Sequence, residues 1–372
     1  MWKNVRLAGT GSYLPGQPIK FDQINDYLGQ LTKAPVKLQK WIEKVQPLMA
    51  EMLGVEYVYY AFNNKTRTFD DDNLSLSVKA AKLALEDAGM EAKDIDLLIY
   101  GGNYSEQMPA ISTRIQEELA IEICGEFHIH ANCTSVYKAI KLAHTYLQTG
   151  EYKNALVVSS CVSSSFFVPE FYNQEKVTKE DIFLRWYLCD GGGAFVLTAD
   201  DEKKKGFYLE NTYIESAGGK KKSAMGNRLP YHWNNPLKNY EEGAHHIRQV
   251  YLNQMEDFAH TESNGKTIFY NALKRMLALQ NIDLTPLKYF VINMPSKSVR
   301  EHIMQECTEL GIGLDKFYSA VEQIGYPGPP AAIMSIDYLL KNRSFENGDL
   351  IFSFVMEVSK FMQAGFTLKY VE

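Results

Sequence analysis

The segment best suited to covalent chemistry is Phe127-His128-Ile129-His130-Ala131-Asn132-Cys133-Thr134-Ser135-Val136-Tyr137-Lys138-Ala139-Ile140. An extended apolar stretch ends and small residues follow. A helix is predicted to begin at or just after Cys133, with Val136, Ile140, Ala143 and Leu147 on its buried face. A thiol at a helix N-terminus feels about half a unit of positive charge from the aligned peptide dipoles. That favours the thiolate, the reactive form, and the free N–H groups there can hold an oxyanion on an attacked carbonyl. The arrangement suits acyl transfer through a thioester. On local chemistry alone, the same residue reads equally well as an inert buried thiol, a common fate of a free cysteine.

Other reactive residue types have weaker patterns. Cys124, Cys161 and Cys307 read as core or surface fillers, and Cys189 precedes a glycine run, 191–193, expected to permit a tight turn. Five cysteines without Cys-x-x-Cys spacing disfavour both zinc and a disulfide framework, and point to a reducing, cytoplasmic setting. No metal site is expected: Asp70-Asp71-Asp72 reads as a solvated acidic turn with no Gly-x-Glu pattern after it. Of eight histidines, His128 and His130 lie two apart on one strand face and read as core or interface residues. His144 and His302 read as exposed helix positions, and His245-His246 point in two directions. His260, in a loop ahead of Thr261-Glu262-Ser263-Asn264-Gly265, ranks first as a relocated base near a substrate pocket.

Composition narrows the class. The chain has 372 residues, 45% apolar and 23% charged, close to the globular average. Its net charge is 39 − 45 = −6, so there is no basic excess for phosphates and no nucleic-acid partner is expected. No apolar run reaches the roughly 18 residues of a membrane span, and the opening residues read as a first strand rather than a signal peptide. The runs Lys203-Lys204-Lys205 and Lys220-Lys221-Lys222 read as solvated loops that could also meet an anionic partner.

The elements that would position Cys133 occur twice. A long helical pattern covers 21–56. A helix is predicted over 75–89, capped by Asn73 or Ser75, and a buried strand over 95–100. Helix 267–280 and strand 288–292 repeat this plan. Met90 and Ile282 correspond at an offset of 192, and Asn154 and Asn347 at 347 − 154 = 193. Closing strands match as well, Gly193–Thr198 with Ala364–Lys369. Self-similarity at this period predicts two homologous α/β halves, 1–200 with the nucleophile and 201–372. The offset of 193 also sets Tyr326 opposite Cys133, placing the loop Gly325-Tyr326-Pro327-Gly328-Pro329-Pro330 at the site.

These segments resemble the thiolase superfamily, specifically β-ketoacyl-acyl-carrier-protein synthase III-like proteins, over nearly the whole chain. Residues 8–15, Ala-Gly-Thr-Gly-Ser-Tyr-Leu-Pro, look like the family's opening strand and turn. Asn132-Cys133-Thr134-Ser135 looks like its nucleophile motif, and Asp190-Gly-Gly-Gly-Ala-Phe-Val-Leu-Thr198 like the strand ending its first half. The resemblance implies a thiolase-like five-layer αβαβα fold with two pseudo-duplicated halves, usually as a homodimer. It implies a Cys133 that accepts an acyl group from acyl-CoA or a phosphopantetheine-bearing acyl-carrier protein, with no tightly bound cofactor. It also makes Met108 a candidate for the wall of the neighbour's acyl pocket, with simple packing at the dimer interface as the alternative. Among the aromatic residues of 166–187, Phe166 is a candidate for the pocket wall, although these residues read equally well as dimer core.

The chain departs from the family pattern where the catalytic partners should be. The family's His falls at Asn293, its Asn near Tyr326, and its glycine-rich loop at Met356-Glu357-Val358-Ser359-Lys360. Asn293 and Tyr326 can still donate hydrogen bonds, and Glu357 could act as a base if burial raises its pKa. The expected function is acyl loading on Cys133 followed by condensation or transfer, in specialised lipid or polyketide-like biosynthesis. The alternative is a low-activity or non-catalytic partner of a synthase homologue.

Overall fold

The structure, a computed structural model, describes residues 2–103, 108–227, 236–244, 246–248, 250–252, 261–294 and 296–372. The main sheet has ten strands: β1 Asn4–Tyr13, β2 Leu97–Gly102, β3 Gly125–His130, β4 Asn154–Val162, β5 Asp190–Asp200, β6 Gly206–Ser216, β7 Leu287–Ile292, β8 Phe317–Tyr318, β9 Leu350–Glu357 and β10 Met362–Val371. Eight helices build the layers and the site: α1 Val36–Leu53, α2 Asn73–Ala88, α3 Ile111–Glu118, α4 Ser135–Thr149, α5 Lys179–Tyr187, α6 Ile268–Gln280, α7 Lys297–Thr308 and α8 Ala331–Asn342.

The strand order is β8-β7-β9-β10-β6-β1-β5-β4-β2-β3. Read outward from the middle, each half repeats one pattern. β1 pairs antiparallel with β5 and β5 with β4, then β4, β2 and β3 run parallel. β6 pairs antiparallel with β10 and β10 with β9, then β9, β7 and β8 run parallel. The halves join through the short β1–β6 register, Arg6 with Tyr208 and Leu7 with Phe207.

Strand periodicity explains the layering. Successive side chains point to opposite faces, and strands buried on both faces are apolar throughout. In β2, Leu97 and Ile99 join the central core with α4 and α8, while Leu98 and Tyr100 join the core under α2 and α3. In β9, Ile351 and Val355 face that same central core, and Leu350, Phe352 and Phe354 face α6 and α7. The result is α2/α3, sheet, α4/α8, sheet, α6/α7: the αβαβα sequence.

Two glycines in β1 show how tightly the outer layer sits. A Cβ on Gly9 would lie 2.3 Å from the Ala84 carbonyl oxygen, and one on Gly11 would lie 2.3 Å from that of Ala80, so only glycine lets α2 lie on this strand. The run 191–193 serves the same purpose rather than forming a turn. It lies within β5, where a Cβ at Gly192 would meet the Leu76 carbonyl at 2.6 Å and one at Gly193 would meet Ile333 at 2.8 Å.

Three further local details differ from the sequence expectation. The 21–56 pattern is broken at Gly29 and Pro35, leaving α1 as its long helix. The cap of α2 is Asp72: its Oδ1 accepts from Ser75 N at 2.8 Å while Asp72 N donates to Ser75 Oγ at 3.0 Å, a reciprocal capping box. His144 is buried in α4 and pairs with the Leu209 carbonyl at 3.0 Å, because that helix face meets β6.

Burial lowers the His144 pKa from 6.5 to about 4, against the Leu209 carbonyl, which raises it. The unfolded chain therefore binds a proton that the folded chain refuses between these values. The corresponding stability is present above pH 6.5 and is lost as the pH falls toward 4, by about 3 kcal/mol in total. Urea unfolding at pH 7 and pH 4 should show His144→Gln losing less stability over this window than the parent. Equal losses would contradict this assignment.

Candidate active site

Cys133 lies in the short turn between β3 and α4, with Thr134 as the N-cap of that helix. Backbone bonds fix the turn: Ala131 N donates to the Gly102 carbonyl at 3.1 Å and Ser135 N to the Asn132 carbonyl at 2.9 Å. The second half delivers its loop to the same point. Tyr326 Oη donates to Cys133 Sγ at 3.0 Å, across the 193 residues of the half-to-half offset. Gly325 makes this approach feasible. Its φ is +67°, and a Cβ there would lie 2.7 Å from Cys189 Sγ.

Glu357, at the end of β9, is buried beside the nucleophile. Its Oε2 accepts from the Thr134 backbone N–H at 3.0 Å and from Thr134 Oγ1 at 2.6 Å, and its Oε1 accepts from Ser359 Oγ at 2.5 Å. This carboxylate therefore occupies the helix N-terminus that the sequence suggested was free for an oxyanion. The Cys133 N–H remains beside the sulfur and favours its ionised form. Asn293 follows β7 and is buried, with its Oδ1 accepting from Ser335 Oγ at 2.6 Å. Among the described residues its Nδ2 has no hydrogen-bond partner, although it lies near enough to the Tyr137 hydroxyl to favour that phenol's ionisation.

The electrostatics reverse the expectation of a thiolate. Burial pushes the Cys133 thiol up to about 12, and the Glu357 carboxylate adds to the rise. The Tyr326 hydroxyl and the Cys133 N–H oppose it without prevailing. Desolvation outweighs a half-charge dipole when a carboxylate already occupies the helix end. Burial also holds the Tyr326 phenol well above its usual range, so it stays protonated and remains a donor to sulfur.

Cys133 faces a cavity of about 620 Å³, within the usual range for a small-molecule site. Cys133 as a residue is half-buried and lines this cavity, and the protein around its thiol produces the desolvation that raises its pKa. Phe166, Phe183, Tyr187, Met294 and Met356 give the walls their apolar character, and Asn103, His130, Asn132 and Asn293 contribute polar groups. The lining continues to Met52, which is 52% exposed, so the cavity reaches the surface.

The structure thus gathers Cys133, Asn293, Tyr326 and Phe166 around one cavity, with Glu357 bonded behind it. Met108 lies elsewhere, 97% exposed and outside the cavity of its own chain. His260 lies outside the described residues. Sequence reasoning passed over Thr134 as the Glu357 partner, Ser335 as the Asn293 partner, and Cys161, which also lines the cavity. Only the strand position of His130, beside the nucleophile, hinted at its place in the cavity wall. Among the described residues, no group of three His, Cys, Asp or Glu is placed to hold a metal ion, and no helix is long and apolar enough to cross a membrane.

The carboxylate beside the thiol gives a signed prediction. Glu357→Gln removes a charge that disfavours the thiolate, so Cys133 should react with iodoacetamide at pH 8 roughly three- to tenfold faster. A slower rate in a folded variant would contradict this reading of Glu357.

Residues 127–218, which include Cys133, match the family model of 3-oxoacyl-acyl-carrier-protein synthase III. The β-ketoacyl-acyl-carrier-protein synthase III of Clostridium perfringens is 25% identical over 357 residues, covering 94% of each chain. That of Yersinia enterocolitica is 24% identical over 352 residues, covering 93% of this chain and 94% of its own. Among solved structures, AbyA1, a tetronic acid condensing enzyme, superposes with a TM-score of 0.78 at 17% identity, over 98% of this chain and 99% of its own. Xanthomonas campestris OleA with bound lauric acid and lauroyl-CoA gives a TM-score of 0.76 at 16% identity over the whole of both chains. At such identities the structural likeness establishes the fold, which is thiolase-like.

Proposed function

We propose, for a chain that is a divergent synthase III-like protein of the thiolase superfamily, that Cys133 takes an acyl group from a thioester donor and passes it on by carbon–carbon condensation or by transfer. The donor is acyl-CoA or an acyl-carrier protein bearing phosphopantetheine. The Cys133 sulfur attacks the thioester carbonyl, a new thioester forms, and the donor's thiol leaves. Glu357 accepts the Cys133 proton, and the donor's departing sulfur takes up a proton. The acyl chain lodges in the apolar cavity. The observation that carries this reading is the Tyr326 hydroxyl donating to Cys133 Sγ at 3.0 Å on the wall of that cavity.

Tyr326 has a definite task here. A protonated phenol directed at sulfur stabilises the thiolate as it forms, in a place where burial otherwise opposes it. The Cys133 N–H and Asn293 Nδ2 are the donors available to a developing oxyanion, each such donor being worth about 2.7–4 kcal/mol when well placed. With an asparagine and a tyrosine where the family has its His and Asn, a role in specialised lipid or polyketide-like biosynthesis fits better than housekeeping fatty-acid initiation. A cytoplasmic homodimer is the working assembly in this reading.

A panel of acyl-CoA thioesters, assayed for free coenzyme A, tests the loading step. Adding a malonyl donor then separates the outcomes: carbon dioxide and a longer product mean condensation, and release beyond one equivalent per chain without chain extension means transfer. A second reading, a low-activity partner of a synthase homologue, draws on the thiol's rise to about 12. It predicts no release with any donor and co-purification with an active synthase.

A further inference from the structure

A second cavity, of about 540 Å³, lies at the C-terminal ends of β7 and β8, where parallel α/β sheets commonly place ligands. Neighbouring residues after β7 and on α7 serve the two cavities. Ile292 and Arg300 line the second, while Asn293, Met294 and Val299 line the one holding Cys133.

The second cavity is cationic and aromatic. Arg300, on α7, is only 8% exposed, and burial draws its pKa below the ordinary guanidinium value. Its donors are poorly used. Nη1 reaches the Met294 carbonyl at 3.3 Å, and Nη2 lies 3.9 Å from a Glu322 carboxylate whose side chain is 58% exposed. So exposed and distant a carboxylate compensates a buried cation weakly. Arg343, on the same lining, makes one long bond to the Asn342 carbonyl at 3.4 Å and pairs with no carboxylate among the described residues. Phe317, Tyr318 and Tyr338 supply ring surface beside these two cations.

We propose that this cavity binds a small organic anion carrying an aromatic ring, with carboxylate or phosphate oxygens held by Arg300 and Arg343 and the ring among Phe317, Tyr318 and Tyr338. Guanidinium forks match both kinds of oxyanion in bidentate fashion, and offset or edge-on ring packing supplies the apolar part. Glu322, at the solvent side, turns away as the anion enters.

Titration calorimetry on the full chain with benzoate and phenyl phosphate tests this. Saturable one-to-one binding of at least one probe is expected, and it should persist in Cys133→Ala, which separates this site from the acyl cavity. Arg343→Gln and Arg300→Lys should each weaken binding about tenfold or more, the scale of one charged hydrogen bond. Arg343 is exposed, so its variant tests the site even if Arg300→Lys fails to fold. The proposal is overturned if neither probe saturates, or if Arg343→Gln binds both as the parent does.

Discussion

Cys133→Ala is expected to abolish acyl loading, with coenzyme A release falling to the level of thioester without protein. The expectation rests on the absence of a substitute. Cys161 lines the same cavity, but burial pushes its thiol up to about 12, and its nearest partner is Ser163 Oγ at 3.2 Å rather than a phenol. Cys189 and Cys307 are buried outside the cavity, and Cys124 belongs to the outer core under α2 and α3. Cys161→Ala is the matched control and should retain most of the release. Loss in both variants would point to general damage. Retention in Cys133→Ala would remove the nucleophile from this account.

Tyr326→Phe has the second largest expected effect. It leaves the ring, which packs edge-on against Tyr187 at 5.8 Å, and deletes the oxygen that donates to sulfur. A hydrogen bond to an ionised partner contributes roughly 1.5–3 kcal/mol. Its loss should raise the Cys133 pKa further, and since 1.36 kcal/mol corresponds to a tenfold change in the thiolate population, iodoacetamide alkylation and acyl loading should both slow by roughly ten- to a hundredfold at pH 8. The sign is opposite to that of Glu357→Gln. Because Glu357 also accepts the thiol proton during loading in this account, Glu357→Gln should alkylate faster yet load more slowly, a split that electrostatics alone does not produce.

Much of this site was legible because duplication leaves arithmetic in the chain. An offset of 193 residues pairs Tyr326 with Cys133 in the sequence, and those two side chains share a hydrogen bond. Strand alternation and helix periodicity located β2, β7, α2 and α6 to within a few residues, since burial on defined faces writes itself into local sequence. What escaped depends on long-range packing. Thr134 and Glu357 are 223 residues apart, and no local pattern announces that a carboxylate fills the helix N-terminus. The thiol's protonation followed from that same fact: a dipole argument used α4 alone, whereas burial by both halves sets the outcome. His144 failed for a related reason, because the face it occupies is covered by β6 of the other half.

The central claim, a covalent acyl group on Cys133, is tested most directly by intact-mass measurement of the full chain after mixing with acyl-CoA thioesters of graded length, followed by peptide mapping. The account predicts a mass increase equal to one acyl group, located on the peptide containing Cys133 and reversed by hydroxylamine. No increase with any donor, or an increase mapped to a different residue, would contradict it.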